Sequence, residues 1–380
     1  MRAKLKPLSQ QVLVITGASS GIGLATARRA ARAGAAVVLA ARNEEALRRL
    51  AEEINAAGGR AHAVAGDVGV AEDVAKIARA AIARFGGFDT WINDAGVGLY
   101  GEAMDTPADD HEKLFRTNYF GVVNGSLEAV RHLRTRPGGG AIINLGSVLS
   151  DVAMPLMSAY SASKHAVKGF TDALRQELIA GKAPISVTLI KPSGINSPFA
   201  DHARNFMDRP ARVAPPAYAP EVVADAILYA AQHPTRHLTV GAGGRQLALA
   251  GAIAPSLADR LFAAVLPPLS RRKGSKLASD NLHAPGVDGH ARTDAHGGRR
   301  FSVYTSLQKH PGLTLALSAL AAAGVAAWFG RAALGRTARP LAARALRPLA
   351  ARAAARRPLQ VARYAVRHPK QALKIASALR

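Results

Sequence analysis

The sequence predicts an α/β protein: a doubly wound parallel sheet of about seven strands, followed by a basic C-terminal extension of apolar helices. Three observations carry the prediction. Short apolar runs alternate regularly with helical stretches up to residue 245. Most of those runs are largely apolar, 36–41 throughout, as expected of strands covered on both faces. Charge then changes character near residue 269. Of a formal net charge of +24, residues 269–380 hold 21 Lys/Arg against three acids, while the first 268 residues hold 29 against 23. A near-balanced domain is therefore followed by a strongly basic tail.

Residues 11–16, 36–41, 61–65, 88–93, 141–145 and 185–190 read as strands, and 237–240 as a shorter last one. Residues 21–33, 43–57, 70–85, 108–135, 158–180 and 220–232 carry apolar faces at helical spacing. Such alternation builds a parallel sheet with helices on both sides, and ligands bind beyond the carboxyl ends of its strands. Residues 194–219 break the rhythm with a long, proline-containing loop beside that edge, either an active-site lid or an irregular connection. Residues 246–269 are apolar and helical, either a cover for a pocket or a subunit contact. Residues 270–300, rich in Gly, His, Arg and Asp, read as a flexible linker between the main domain at 1–245 and the tail at 301–380.

Composition narrows the chemistry. Ala and Gly are abundant and aromatics make up 5% of the chain, which suits close helix–sheet packing better than an aromatic-rich binding surface. There is no cysteine, so disulfides, thiolate catalysis and Cys-based metal sites are excluded, and no metal is expected. Residues 1–11 are too short and polar for a signal peptide, so a cytoplasmic location is the expectation.

The motifs lie at the strand ends. After the first strand, Thr16-Gly17-Ala18-Ser19-Ser20-Gly21-Ile22-Gly23 opens a helix. Small residues there let the backbone approach a pyrophosphate, and the helix N-terminus offers free N–H groups and a positive dipole end. The second strand ends in Ala41-Arg42 with no acid. A strand-end acid binds the ribose 2′-hydroxyl of NAD, whereas a nearby Arg accommodates a 2′-phosphate, so NADP(H) is favoured over NAD(H). In Ser158-Ala159-Tyr160-Ser161-Ala162-Ser163-Lys164, Tyr160 and Lys164 share one helix face. A phenol titrates near ~10, and a neighbouring ammonium together with a nicotinamide cation would lower that value toward the range useful for proton transfer. Ser147, just after the strand at 141–145, is a polar group at the same edge.

Over residues 10–242 the chain resembles the short-chain dehydrogenase/reductases. The resemblance rests on Thr16–Gly23, Asp67-Val68, Asn93-Asp94-Ala95-Gly96, Asn118, Ser147, Tyr160, Lys164 and Pro192-Ser193-Gly194-Ile195-Asn196-Ser197, all in order. It implies a Rossmann-like NADP-binding domain that transfers a hydride between NADP(H) and the carbon of a small-molecule carbonyl or alcohol. By the same resemblance, Tyr160 is the acid/base, Ser147 orients the substrate oxygen, Lys164 binds the nicotinamide ribose and Asn118 holds a relaying water. Thr16, Gly17, Ser19, Ser20, Gly21, Ile22 and Gly23 cradle the pyrophosphate, with Arg42 near the 2′-position. Asp67 and Val68 border the adenine, Asn93, Ala95 and Gly96 the ribose side, and Pro192, Ile195 and Ser197 the carboxamide. The family often forms homo-oligomers. Two departures stand out: Asp94 replaces the family's usual Asn, and Ser193 and Ser197 replace Gly and Thr. The rival reading is a non-catalytic, membrane-associated NADPH-binding scaffold or redox sensor.

The tail raises a separate question. Residues 313–330 are 18 uncharged residues, roughly 27 Å as a helix against a hydrocarbon core of ~30 Å. Residues 331–380 hold 13 Lys/Arg and no acid. A single span would put this more basic flank outside, against the positive-inside tendency, so association with the cytosolic face of a membrane stands beside a soluble packed tail. Arg339-Pro-Leu-Ala-Ala-Arg344 recurs at 347–352, as short basic helices that suit a membrane surface. Beyond Phe329 only Tyr364 is available to stack on bases, which argues against nucleic acid.

Overall fold

The computed structural model describes residues 3–275, 280–293 and 297–310, with 312 and 314. The stretch at 313–330, but for Thr314, and the basic repeats beyond it lie outside the described residues.

Seven parallel strands form one sheet: β1 Val12–Thr16, β2 Ala36–Ala41, β3 Arg60–Ala65, β4 Thr90–Asn93, β5 Gly140–Leu145, β6 Ile185–Pro192 and β7 His237–Val240. Their order is β3-β2-β1-β4-β5-β6-β7. All residues of β5 and β6 are buried; most are apolar, and the polar ones among them, Asn144, Ser186, Thr188 and Lys191, are buried too. Alternate side chains feed two cores. Leu13, Ile15, Leu39 and Ile143 meet the helices α1 Gly21–Arg32, α2 Glu44–Ala56 and α7 Pro220–Ala230 on one face. Val14, Val38, Trp91, Ile142 and Val187 meet α3 Ala71–Phe85, α5 Gly121–Leu133 and α6 Ser158–Ala180 on the other. Chain order reverses between β1 and β4, so the crevice that such a sheet offers a ligand opens above that point.

Three details depart from the periodicity. The helix expected over 108–135 is α4 Ala108–Phe115 and α5 joined by a π-helical turn, Arg116–Phe120. Apolar spacing does not register such a turn, which is frequent at functional sites. The loop at 194–219 contains a single helical turn, Phe199–His202, and a short strand, Arg204–Asn205, paired with Leu99–Tyr100. The apolar segment expected at 246–269 begins earlier and is two helices, α8 Ala242–Ile253 and α9 Pro255–Leu269. Ala254 between them is non-helical, as the residue before a proline tends to be. Ala258, Phe262 and Leu266 of α9 pack on Val152 and Met154, so this pair covers the loop that follows β5. A short helix, α10 Val303–Lys309, closes the described chain beside β7. Among the described residues no helix is long and apolar enough to cross a membrane.

Candidate active site

The glycine turn after β1 is shaped by steric need. Gly17 has a positive φ of 72°, and a Cβ there would lie 2.8 Å from the backbone of Ala95. A Cβ on Gly23 would lie 2.2 Å from the Gly17 carbonyl oxygen, so the first turn of α1 can sit this close to the loop only without one. Thr16 Oγ1 accepts from the N–H groups of Asp94 and Ala95 at 3.1 and 3.2 Å and thereby joins the ends of β1 and β4.

Above these ends lies a cleft open to solvent. Of the residues expected to meet a cofactor, Gly17, Ser19, Ser20, Ile22, Arg42, Asp67, Val68, Ala95, Gly96 and Ser197 line it together. Asp67 is tied into its wall: Lys113 and the Gly69 N–H both donate to its carboxylate at 2.9 Å. Burial acts to raise that carboxyl, but these bonds outweigh it and hold the group below the ordinary value. Pro192 and Ile195 lie buried at and just beyond the carboxyl end of β6 instead of on the cleft wall.

Asn93 differs from expectation. Its side chain accepts from Trp91 Nε1 at 2.7 Å and donates to Asn144 Oδ1 at 2.8 Å and Ser126 Oγ at 3.1 Å. The amide is fully committed to a buried polar network joining β4, β5 and α5, so its contribution is to hold the strand end beneath the cleft.

The second cluster is built by β5, the following turn and α6. Ser147 caps the turn Val148–Ser150, accepting from Leu149 N at 3.1 Å while its own N–H donates to Ser150 Oγ at 3.2 Å. Its side chain is hydrogen-bonded to that of Tyr160. One turn further along α6, Lys164 places Nζ 5.6 Å from the centre of the Tyr160 ring and donates to the Leu145 carbonyl at 2.8 Å. A Cβ on Gly96 would come within 3.9 Å of the same Nζ, so the ammonium stands where the cleft meets the Ser147–Tyr160 pair.

Electrostatics here is dominated by burial. Desolvation pulls Lys164 down to about 8, against the pull of Asp94. The Tyr160 phenol is pushed above its usual value, first by burial and then by Asp94, with the Ser147 bond opposing. Asp94 lies beneath the glycine turn and accepts the Gly23 N–H, and burial drives its carboxyl well above the carboxylate range. Asn118 sits in the π turn, buried and bonded within the protein. It accepts from Val97 N at 2.8 Å and donates to Val97 O at 3.0 Å and to Ser163 Oγ at 3.3 Å. The side chain therefore clamps the β4 loop to α6.

An ion triad secures the Ser147 turn. Asp151 bonds Lys168 and Lys191 at 2.5 Å each, joining the turn to α6 and β6. Burial opposes the charge on Asp151, but the two lysine bonds hold its carboxyl below the ordinary range. Lys191 is 7% exposed, so Asp151→Ala would leave a buried charge unpaired. The expected cost is about 3 kcal/mol, measured as a fall in the denaturation midpoint. Because the folded pKa is depressed, the triad's contribution is complete above about pH 4 and is lost as pH falls through the lowered value.

Apolar side chains surround the polar pair. Phe199 meets the Tyr160 ring edge-on at 5.2 Å, and Tyr100, Leu149, Met157, Ala203 and Met207 form the adjoining cluster. Sequence reasoning missed one further wall. Residues 280–293, read as linker, pack on the domain: Leu282 is fully buried, and Asn281, Pro285, Gly286 and Asp288 line the cleft.

A family model described as short chain dehydrogenase matches residues 11–208. The chain is 44% identical over 331 residues to an uncharacterized oxidoreductase, YxnA, of Bacillus subtilis, covering 86% of this chain and 92% of that protein. It is 32% identical over 265 residues to a putative oxidoreductase, SadH, of Mycobacterium tuberculosis, with coverages of 67% and 94%. Among solved structures it is similar to a short chain dehydrogenase/reductase from Burkholderia phymatum in complex with NAD. There the identity is 25% and the TM-score 0.58, over 72% of this chain and all of the other.

Proposed function

Because the chain belongs to the short-chain dehydrogenase family of oxidoreductases, we propose that it moves a hydride between NADP(H) and the carbon of an apolar carbonyl or alcohol, with Tyr160 as the acid/base. The observation that carries this reading is the meeting of Ser147, Tyr160 and Lys164, with the lysine ammonium next to Gly96 of the cleft wall. A bound nicotinamide dinucleotide supplies or takes the hydride. In reduction, the Ser147 hydroxyl and the Tyr160 hydroxyl both donate to the substrate oxygen. As that oxygen gains charge, Tyr160 passes its proton to it, and the Lys164 ammonium stabilises the phenolate left behind.

The residues fit the cofactor class. The close-packed Gly17 and Gly23 let a pyrophosphate approach the backbone of the turn, and the cleft lined by Gly17, Ser19, Ser20 and Ile22 opens over the start of α1. Arg42 on the cleft wall and the absence of an acid at the end of β2 support NADP(H), with NAD(H), the ligand of the Burkholderia relative, as the alternative. The apolar cluster around Tyr160 supports an apolar substrate.

The test is consumption of NADPH and of NADH against carbonyls of increasing apolar size. Turnover should rise with apolar size and favour NADPH. Binding of NADPH without turnover of any carbonyl would instead establish the non-catalytic scaffold. Gly23→Ala gives a separate check: its Cβ would strain the turn by about 1–3 kcal/mol, so calorimetry should show roughly 5- to 150-fold weaker dinucleotide binding. Unchanged affinity would remove the glycine turn from the site.

A further inference from the structure

The segment 280–293 crosses the outer side of the cleft, bonded at each step. Asp280 pairs with Arg204 at 3.0 Å and accepts the Leu282 N–H at 2.9 Å. Leu282 is wholly buried among Val97, Leu99, Leu114 and Ala159. The chain then passes the end of β2. Arg42 donates from Nη1 to the Leu282 carbonyl at 3.1 Å and from Nη2 to the carbonyls of Asn281 and, at 3.5 Å, Ala284. Asn43 donates to the Gly286 carbonyl at 3.3 Å. The segment finishes on the glycine turn, where Gly289 N donates to Ser19 O and Gly21 N to His290 O, each at 3.0 Å. One buried leucine and a row of backbone groups thus join this remote segment to the loops after β1 and β2.

We propose that residues 280–293 are a cofactor-selecting strap: their carbonyls hold the Arg42 guanidinium at the adenosine end of the cleft, where it receives the 2′-phosphate of NADP(H). The inference rests on the NADP(H) reading above and adds the element that makes it effective. A guanidinium has five N–H donors, and the three strap carbonyls engage only Nη1 and Nη2, leaving Nε–H and one Nη1 hydrogen for an anion. An unrestrained Arg at a strand end would lose its side-chain freedom on binding the phosphate, whereas a side chain already held by carbonyls has lost it on folding. Those carbonyls are neutral, so they orient the charge without cancelling it. Of the strap's charged groups, Asp288 lies on the same wall and Arg292 is paired with Glu221, so the strap's effect on phosphate selection is made through Arg42.

The experiment is a double-mutant cycle on the full-length protein, read by calorimetric titration with NADPH and with NADH in the absence of any carbonyl. Leu282→Ala removes the anchor, and Asp280→Ala, which leaves the core untouched, provides a second release of the strap if the first variant folds poorly. Each release should weaken NADPH binding about tenfold more than NADH binding, the size expected when a preorganised side chain becomes free. Arg42→Ala should do the same, and combining it with a strap variant should add little more. Strap variants that leave the NADPH-to-NADH affinity ratio unchanged, or losses that simply add to that of Arg42→Ala, would overturn the strap while leaving the NADP(H) reading intact. A wild-type protein that binds NADH more tightly than NADPH would overturn both.

Discussion

Tyr160→Phe should lower kcat for carbonyl reduction by about 10²–10⁴-fold, the contribution typical of a positioned proton donor, while dinucleotide affinity stays within about threefold. The ring would keep its edge-on contact with Phe199 and its place in the apolar cluster, so only the hydroxyl is lost. That hydroxyl is the group Ser147 bonds, and it stands beside the ammonium at the end of the cleft. Loss of kcat with unchanged binding would mark an interaction made only in the transition state. A variant retaining more than about a tenth of wild-type turnover would rule Tyr160 out as the proton donor.

Lys164→Met should have the second largest effect, about 10²-fold on kcat/KM, because it removes the buried charge but keeps the bulk of the chain. The wild-type ammonium donates to Leu145 O and lies beneath Gly96, so both cofactor affinity and proton transfer should suffer. Its pH signature is more specific. Burial lowers Lys164 to about 8, so the ammonium is present below that pH and lost above it. For the free enzyme, kcat/KM in the reductive direction should therefore fall as pH rises through about 8, and the variant should lack that limb. Unfolding does not explain such a fall. An unfolded lysine keeps its proton to about 10.5, so between about pH 8 and 10.5 the unfolded chain binds more protons at this group. The group's effect on stability then rises with pH over that window. A wild-type profile with no such limb would show that Lys164 does not control the reaction.

Much of this architecture is legible in the sequence because its causes are local. Strands covered on both faces are mostly apolar, so β2 and most of β5 are visible as runs. The glycine turn is visible because only small residues let Gly17 and Gly23 approach their neighbours. Tyr160 and Lys164 are visible as a pair because the helix repeat alone puts them on one face.

What only the tertiary structure decided involves partners far apart in the chain. Whether Asn93 and Asn118 point to a ligand or into the protein depends on Trp91, Asn144, Val97 and Ser163 reaching them. The direction of the Tyr160 shift depends on how deeply the fold buries it, which residue identity does not specify. The strap is the clearest case. Its composition is that of a linker, and it docks through one leucine and a series of backbone carbonyls and amides. Every residue type carries those backbone groups, so they leave no mark in a sequence. Arg42 could therefore be assigned to a strand end from the sequence, but the segment some 240 residues away that holds it becomes visible only when the chain is folded.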